Sequence, residues 1–130
     1  SNLRNRPVQI FVPYDTMRDY IAVDDAAPAM IATLAAMQDN TRPVTKIIAS
    51  ERPVTIAEII AIFRKVTRRA PRIVTSSSKL SALYTRRVQF RSIVYPGIGR
   101  STARSLLVGI DQLMTSGRAA FARGRLQADR

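Results

Sequence analysis

Few residues in this sequence could do chemistry, because it holds no histidine and no cysteine. Histidine is the commonest general base and metal ligand, and a cysteine thiolate is the readiest nucleophile. The chain therefore supplies no imidazole proton shuttle, thiol nucleophile, Cys-ligated zinc or disulfide. Carboxylates, hydroxyls and guanidinium groups remain. Asp24 and Asp25 are the only adjacent carboxylates. Sequential neighbours on a helix point in different directions, so the pair reads as first-turn acids, with Asp24 as a helix cap, rather than as an acid/base couple. Ser76, Ser77 and Ser78 have no histidine to activate them and read as a cap or a loop. No GxGxxG, Walker loop or metal-ligand spacing is present.

Basic side chains are the one chemical group in excess. Lys and Arg number 21 against 9 Asp and Glu, a formal net charge of +12. No acidic residue occurs from Ile59 to Ile110, a stretch that includes Arg64, Lys65, Arg68, Arg69 and Arg72, then Arg86, Arg87 and Arg91. A guanidinium is a planar fork that can grip two phosphate oxygens at once. Anions are the natural partners: nucleic acid, an acidic membrane, a phosphorylated ligand or an acidic protein surface. A solvated arginine-rich surface accounts for the charge equally well.

The elements that must position these groups follow from the hydrophobic pattern. Val8–Val12 and Met17–Val23 read as short strands around the turn at Pro13-Tyr14-Asp15-Thr16. A helix opens at Asp24-Asp25, tolerates Pro28 near its first turn, and carries Met30, Ile31, Leu34 and Met37 as its inward face. Val44–Ala49 reads as a third strand. Thr55-Ile56-Ala57-Glu58 has the hydroxyl and carboxylate spacing of a capping box. The helix behind it turns Ile56, Ile59, Ile60, Phe63 and Val66 inward, until Ala70-Pro71 ends it. Arg72–Thr75 and Val88–Tyr95 are β-like, with a short helix expected between Ser76 and Thr85. A last helix opens at Ser101, places Leu106, Leu107, Ile110, Leu113 and Met114 inward, and ends at Gly117. The expected fold class is α/β, with few short strands and three main helices. Residues 1–117 form its body and residues 118–130 a basic tail. No apolar run approaches the ~18 residues of a membrane span, and Ser1–Arg6 lacks the apolar core of a signal peptide. A cytoplasmic protein with no membrane partner is expected.

The string Arg18-Asp19-Tyr20-Ile21-Ala22-Val23-Asp24-Asp25-Ala26-Ala27 resembles the RDY-hydrophobic-x-V-x-D-hydrophobic-A signature of the extended short-chain dehydrogenase/reductases. These are NAD-dependent epimerases and dehydratases of sugar nucleotides. The likeness runs in order from Val8 to Thr75. It includes Lys46–Glu51, where the family has a YNIGSG strand end, and Pro53–Ile59, where it has a capped helix start. The chain departs from the pattern at Pro13–Thr16, which lacks the family's glycines, and at Ala49 and Glu51. The R-x-G-D loop is not recognisable.

The resemblance implies a substrate-binding C-terminal region of a nucleotide-sugar epimerase or dehydratase. Arg18 would bind the pyrophosphate, with Arg86, Arg87 and Arg91 as candidates for a second phosphate-binding arginine. It also implies a cofactor, NAD or NADP, held by an N-terminal Rossmann half with a glycine-rich loop and a Tyr-x-x-x-Lys pair. Neither is here, since Tyr14, Tyr20, Tyr84 and Tyr95 precede Arg18, Asp24, Val88 and Gly99 by four residues. The expectation is a fragment that is not catalytically competent alone, exposes apolar helix faces, and either self-associates or binds its missing half. The alternative is a basic nucleic-acid-binding or protein-interaction module. Nucleic acid is the less favoured partner, because aromatic residues for stacking are scarce and no reader motif is present.

Overall fold

A computed structural model of the chain describes residues 6–39, 41–76, 78, 83–100 and 103–123. The elements are β1 (Val8–Ile10), β2 (Met17–Arg18), α1 (Val23–Ala36), β3 (Val54–Thr55), α2 (Ile56–Thr67), β4 (Ile73–Thr75) and α3 (Leu106–Ala122). The expected α/β class with few short strands and three main helices is what the chain adopts. No helix is long and apolar enough to cross a membrane among the described residues.

Two small sheets organise the chain. β1 and β4 pair in parallel, Val8 opposite Ile73 and Ile10 opposite Thr75. Val8 N–H donates to Arg72 O at 2.8 Å and Ser76 N–H to Ile10 O at 3.0 Å, extending the ladder at both ends. β2 and β3 pair antiparallel, Met17 opposite Thr55 and Arg18 opposite Val54. The far side of Met17 bonds to residues 86–88, through Met17 N–H to Arg86 O at 2.8 Å and Val88 N–H to Met17 O at 3.3 Å.

α2 forms where its local signals place it. Thr55 Oγ1 accepts from Glu58 N–H, and the Glu58 carboxylate accepts from Thr55 N–H at 2.6 Å, completing the capping box. Those bonds hold the Glu58 carboxyl below its ordinary value. The next free donors, Ile56 N–H and Ala57 N–H, go to Thr16 O and Tyr14 O, both at 3.1 Å. The helix ends at Arg68, whose left-handed φ of 53° breaks the repeat before Pro71 is reached. α2 packs on α3, burying Ile110 and Met114 of the latter.

Several expectations are corrected. The N-cap of α1 is Ala22, with no side-chain cap bond, so Asp24 is a first-turn acid and not the cap. Pro28 sits in the second turn, where it cannot donate to the Asp24 carbonyl. The apolar face of α1 is reversed. Met30, Ile31 and Leu34 are 56–69% exposed, while Asp25, Ala29 and Thr33 are buried. Thr33 is accommodated because its hydroxyl donates to Ala29 O at 2.7 Å. Residues 44–49 form no strand, since no described neighbour offers them a ladder. Residues 88–95 contribute only the flank of a single bridge between Met17 and Arg87. α3 starts after Ser105, whose Oγ accepts from Val108 N–H, and it runs through Gly117 to Ala122. Gly117 therefore does not end it, and residues 118–122 of the expected tail are helical. Leu113 is exposed rather than inward. Most of the expected helix between Ser76 and Thr85, the expected start at Ser101, and residues 124–130 lie outside the described residues.

Apart from Ile110 and Met114, the buried set is small or polar. Ala29, Ala49 and Ala103 join Ile110 and Met114, and Thr16, Asp25, Thr33, Ser50 and Ser92 are buried beside them. No large side chain is fully enclosed among the described residues.

Candidate functional site

Arg18 stands at the end of β2, between β3 on one side and residues 86–88 on the other. Its Nη1 donates to Met17 O at 2.7 Å and reaches Arg86 O at 3.5 Å. Two carbonyls thus hold one edge of the guanidinium, while Nε and Nη2 make no hydrogen bond among the described residues. Arg86 is exposed and lies 3.7 Å from the Asp15 carboxylate, an exposed pair that contributes little stability. Arg87 is exposed and shares the bridge to Met17. The chain path therefore brings Arg18, Arg86 and Arg87 to one edge. Arg91 is exposed four residues further on, and its side chain makes no hydrogen bond or ion pair among the described residues. The N-terminal donors of α2 nearby are already taken by Tyr14 and Thr16, so that helix end offers no anion seat.

Asp19 braces backbone: its Oδ1 accepts from Ser50 N–H at 2.8 Å, and its Oδ2 is buried with no hydrogen-bond partner among the described residues. The loop after residue 45 is fastened by polar side chains. Lys46 Nζ donates to Ser92 Oγ at 2.6 Å and Tyr95 O at 3.1 Å, and Glu51 Oε1 accepts from Ser92 N–H at 3.0 Å. Glu51 and Tyr95 themselves adopt left-handed φ values of 55° and 47°. These ties span 41 to 49 residues of sequence, beyond any local pattern.

The best-formed ion pair was not anticipated either. Asp25 is 6% exposed and accepts from Arg104 through Nη2 at 2.8 Å, Nε at 2.9 Å and the backbone N–H at 3.1 Å. Arg104 also bonds Gln112 Oε1. Burial pushes the Asp25 carboxyl up, but the hydrogen bonds and charge of Arg104 outweigh it and hold the carboxyl below its ordinary value. Arg104 borders a cleft of about 480 Å³ that also meets Tyr20, Phe63 and Leu113. A second, more apolar groove of about 770 Å³ runs between β1 and the α2–α3 pair, past Ile10, Ile60, Phe63 and Met114.

This arrangement can hold an anion against fixed guanidinium groups. It places no activated nucleophile and no proton-transfer pair. Among the described residues no glycine-rich loop leads into a helix N-terminus, the usual cradle of a dinucleotide pyrophosphate: Gly99, with φ of 100°, backs onto Ala49 O, while Gly97 and Gly109 face open space.

No known family profile matches the chain, and no curated protein matches it. Its fold is similar to two solved structures. The first is MoeE5 in complex with UDP-glucose and NAD, at 23% identity and a TM-score of 0.71, covering 91% of this chain and 39% of that one. The second is MoeE5 in complex with UDP-glucuronic acid and NAD, at 20% identity and a TM-score of 0.66, covering 90% and 38%. The chain spans about two fifths of those chains, and over that span it shares their α/β fold.

Proposed function

We propose that this chain is the substrate-side region of an NAD(P)-dependent enzyme acting on a nucleotide sugar, of the epimerase/dehydratase kind. The fold likeness carries the reading: nine tenths of the chain superposes on part of a protein held in complex with UDP-glucose and NAD. The Arg18–Ala27 string supports it independently. In this reading the free edge of Arg18 grips the pyrophosphate, and Arg86 and Arg87 add positive potential at the same edge, with Arg91 further out. A planar guanidinium already oriented by two carbonyls loses little freedom on binding two phosphate oxygens. The described residues provide no cofactor cradle and no proton-transfer pair; in this reading both are supplied by a Rossmann-type half that packs on the exposed face of α1. A cytoplasmic setting belongs to the same reading.

The test is a urea titration of the chain with and without UDP-glucose. A half-site with a dissociation constant near 1 mM gives about 1.4 kcal/mol of protection at about 10 mM ligand. Arg18→Ala should abolish that protection while leaving the ligand-free midpoint unchanged. Equal protection of wild type and Arg18→Ala, or none of either, would overturn the assignment.

A further inference from the structure

The largest unassigned concentration of charge lies away from Arg18, at the C-terminal end of α2. Arg64, Lys65, Arg68, Arg69 and Arg72 are all exposed. Their side chains make no ion pair and no hydrogen bond among the described residues. No acidic residue lies in sequence between Glu58 and Asp111 to neutralise them. The backbone beneath them is fixed. Thr67 Oγ1 donates to Phe63 O at 2.7 Å and accepts from Arg69 N–H at 3.4 Å, and Arg72 O accepts from Val8 N–H at 2.8 Å. This cluster leads into the N-terminal end of the β1–β4 pair, whereas Asp15 and Arg18 follow the C-terminal end of β1.

Arg68 sharpens the point. It occupies the left-handed C-cap position, where glycine carries no steric penalty and an arginine costs on the order of 1 kcal/mol. A cation therefore stands where local backbone preference would place none.

The occupant must be a polyanion. A second copy of the chain cannot supply one, since it carries 9 acidic residues against 21 basic. Of those acids, Asp19, Asp25, Glu51 and Glu58 already accept hydrogen bonds within the fold. A membrane surface fits poorly, because residues 64–72 expose no large apolar side chain to insert. Four of the five cations are arginines, suited to gripping phosphate oxygens in pairs, and no aromatic side chain lies among them for base stacking. We propose that these five residues form a docking surface for the phosphate backbone of a nucleic acid, engaged without base recognition.

The full chain is titrated into a labelled mixed-sequence duplex of about 20 base pairs, by fluorescence anisotropy, from about 50 to 200 mM NaCl. Five phosphate contacts predict a slope of log affinity on log salt of about −4.5, and Arg64→Gln with Arg69→Gln should make it shallower by about 2. Arg68→Gly should make the slope shallower by about 1 while leaving the thermal midpoint equal or higher, so that binding falls without loss of fold. Arg118→Gln with Arg123→Gln removes the same net charge as the double patch variant from the C-terminal end of α3 and its cap, and should leave the slope unchanged. The proposal is overturned if that control lowers the slope as much as the patch variants, or if the patch variants leave it unchanged. It is equally overturned if polyglutamate of matched charge or phosphatidylserine-rich vesicles compete as well as unlabelled duplex.

Discussion

Asp25 and Arg104 lie 79 residues apart and are joined by both nitrogens Nε and Nη2 and by the backbone N–H of Arg104. A carboxyl held below its ordinary 3.8 stabilises the fold above its unfolded-state value, and that contribution disappears as pH falls through the depressed folded-state value. Replacing Arg104 with methionine removes the guanidinium bonds and charge but keeps the backbone N–H bond, so the Asp25 carboxyl rises toward its ordinary value. The pH-dependent contribution of Asp25 then shrinks, and the variant loses less stability than wild type as pH falls. Urea midpoints measured between about pH 3 and 7 should therefore fall less steeply on acidification for Arg104→Met than for wild type, with a cost near neutrality of roughly 3 kcal/mol. Parallel pH curves would remove the pair from this role. The string around Arg18 singles that residue out in the sequence, but nothing near Asp25 or Arg104 marks them as partners. Asp24 and Asp25 look alike as first-turn acids, and only tertiary packing sends one to Arg104 and leaves the other without a cap bond.

Among the helices, what could be read from sequence was what is settled locally. The Thr55–Glu58 box closes over three residues and appears as written. α1 shows the limit. Met30, Ile31 and Leu34 recur at helical spacing, but so do Asp25, Ala29 and Thr33, and periodicity does not say which face this chain covers. The chain covers the small and polar face. Residues 44–49 fail as a strand for a related reason, because a strand exists only through a neighbour's ladder. The uncovered face of α1 adds Val23 at 76% exposure, and each such side chain gains roughly 1.5–3 kcal/mol on full burial. Self-association through this face is the expected behaviour of the chain alone. Static light scattering should show a mass that rises with concentration, and Ile31→Glu with Leu34→Glu should abolish the rise at little cost in stability, since both positions are exposed. An unchanged mass profile in that variant would point to another surface.

For the whole molecule, α2 and α3 pack together and border the β1–β4 pair, while α1 has no comparably extensive contact with any named element among the described residues. It is fastened mainly at its ends, by Asp25 to Arg104 and by Tyr95 Oη donating to Ala36 O at 3.3 Å. A helix tied at two points and bare along one side is a separate cooperative unit of the native state. Its amides should exchange with deuterium through an opening that leaves α2 and α3 protected, and Arg104→Met should speed that exchange in α1 before it affects α3. Whatever molecule covers Met30, Ile31 and Leu34 therefore does more than shield carbon from water: it sets the lifetime of the closed helix, and α1 is the place where occupancy would first be read as slowed exchange.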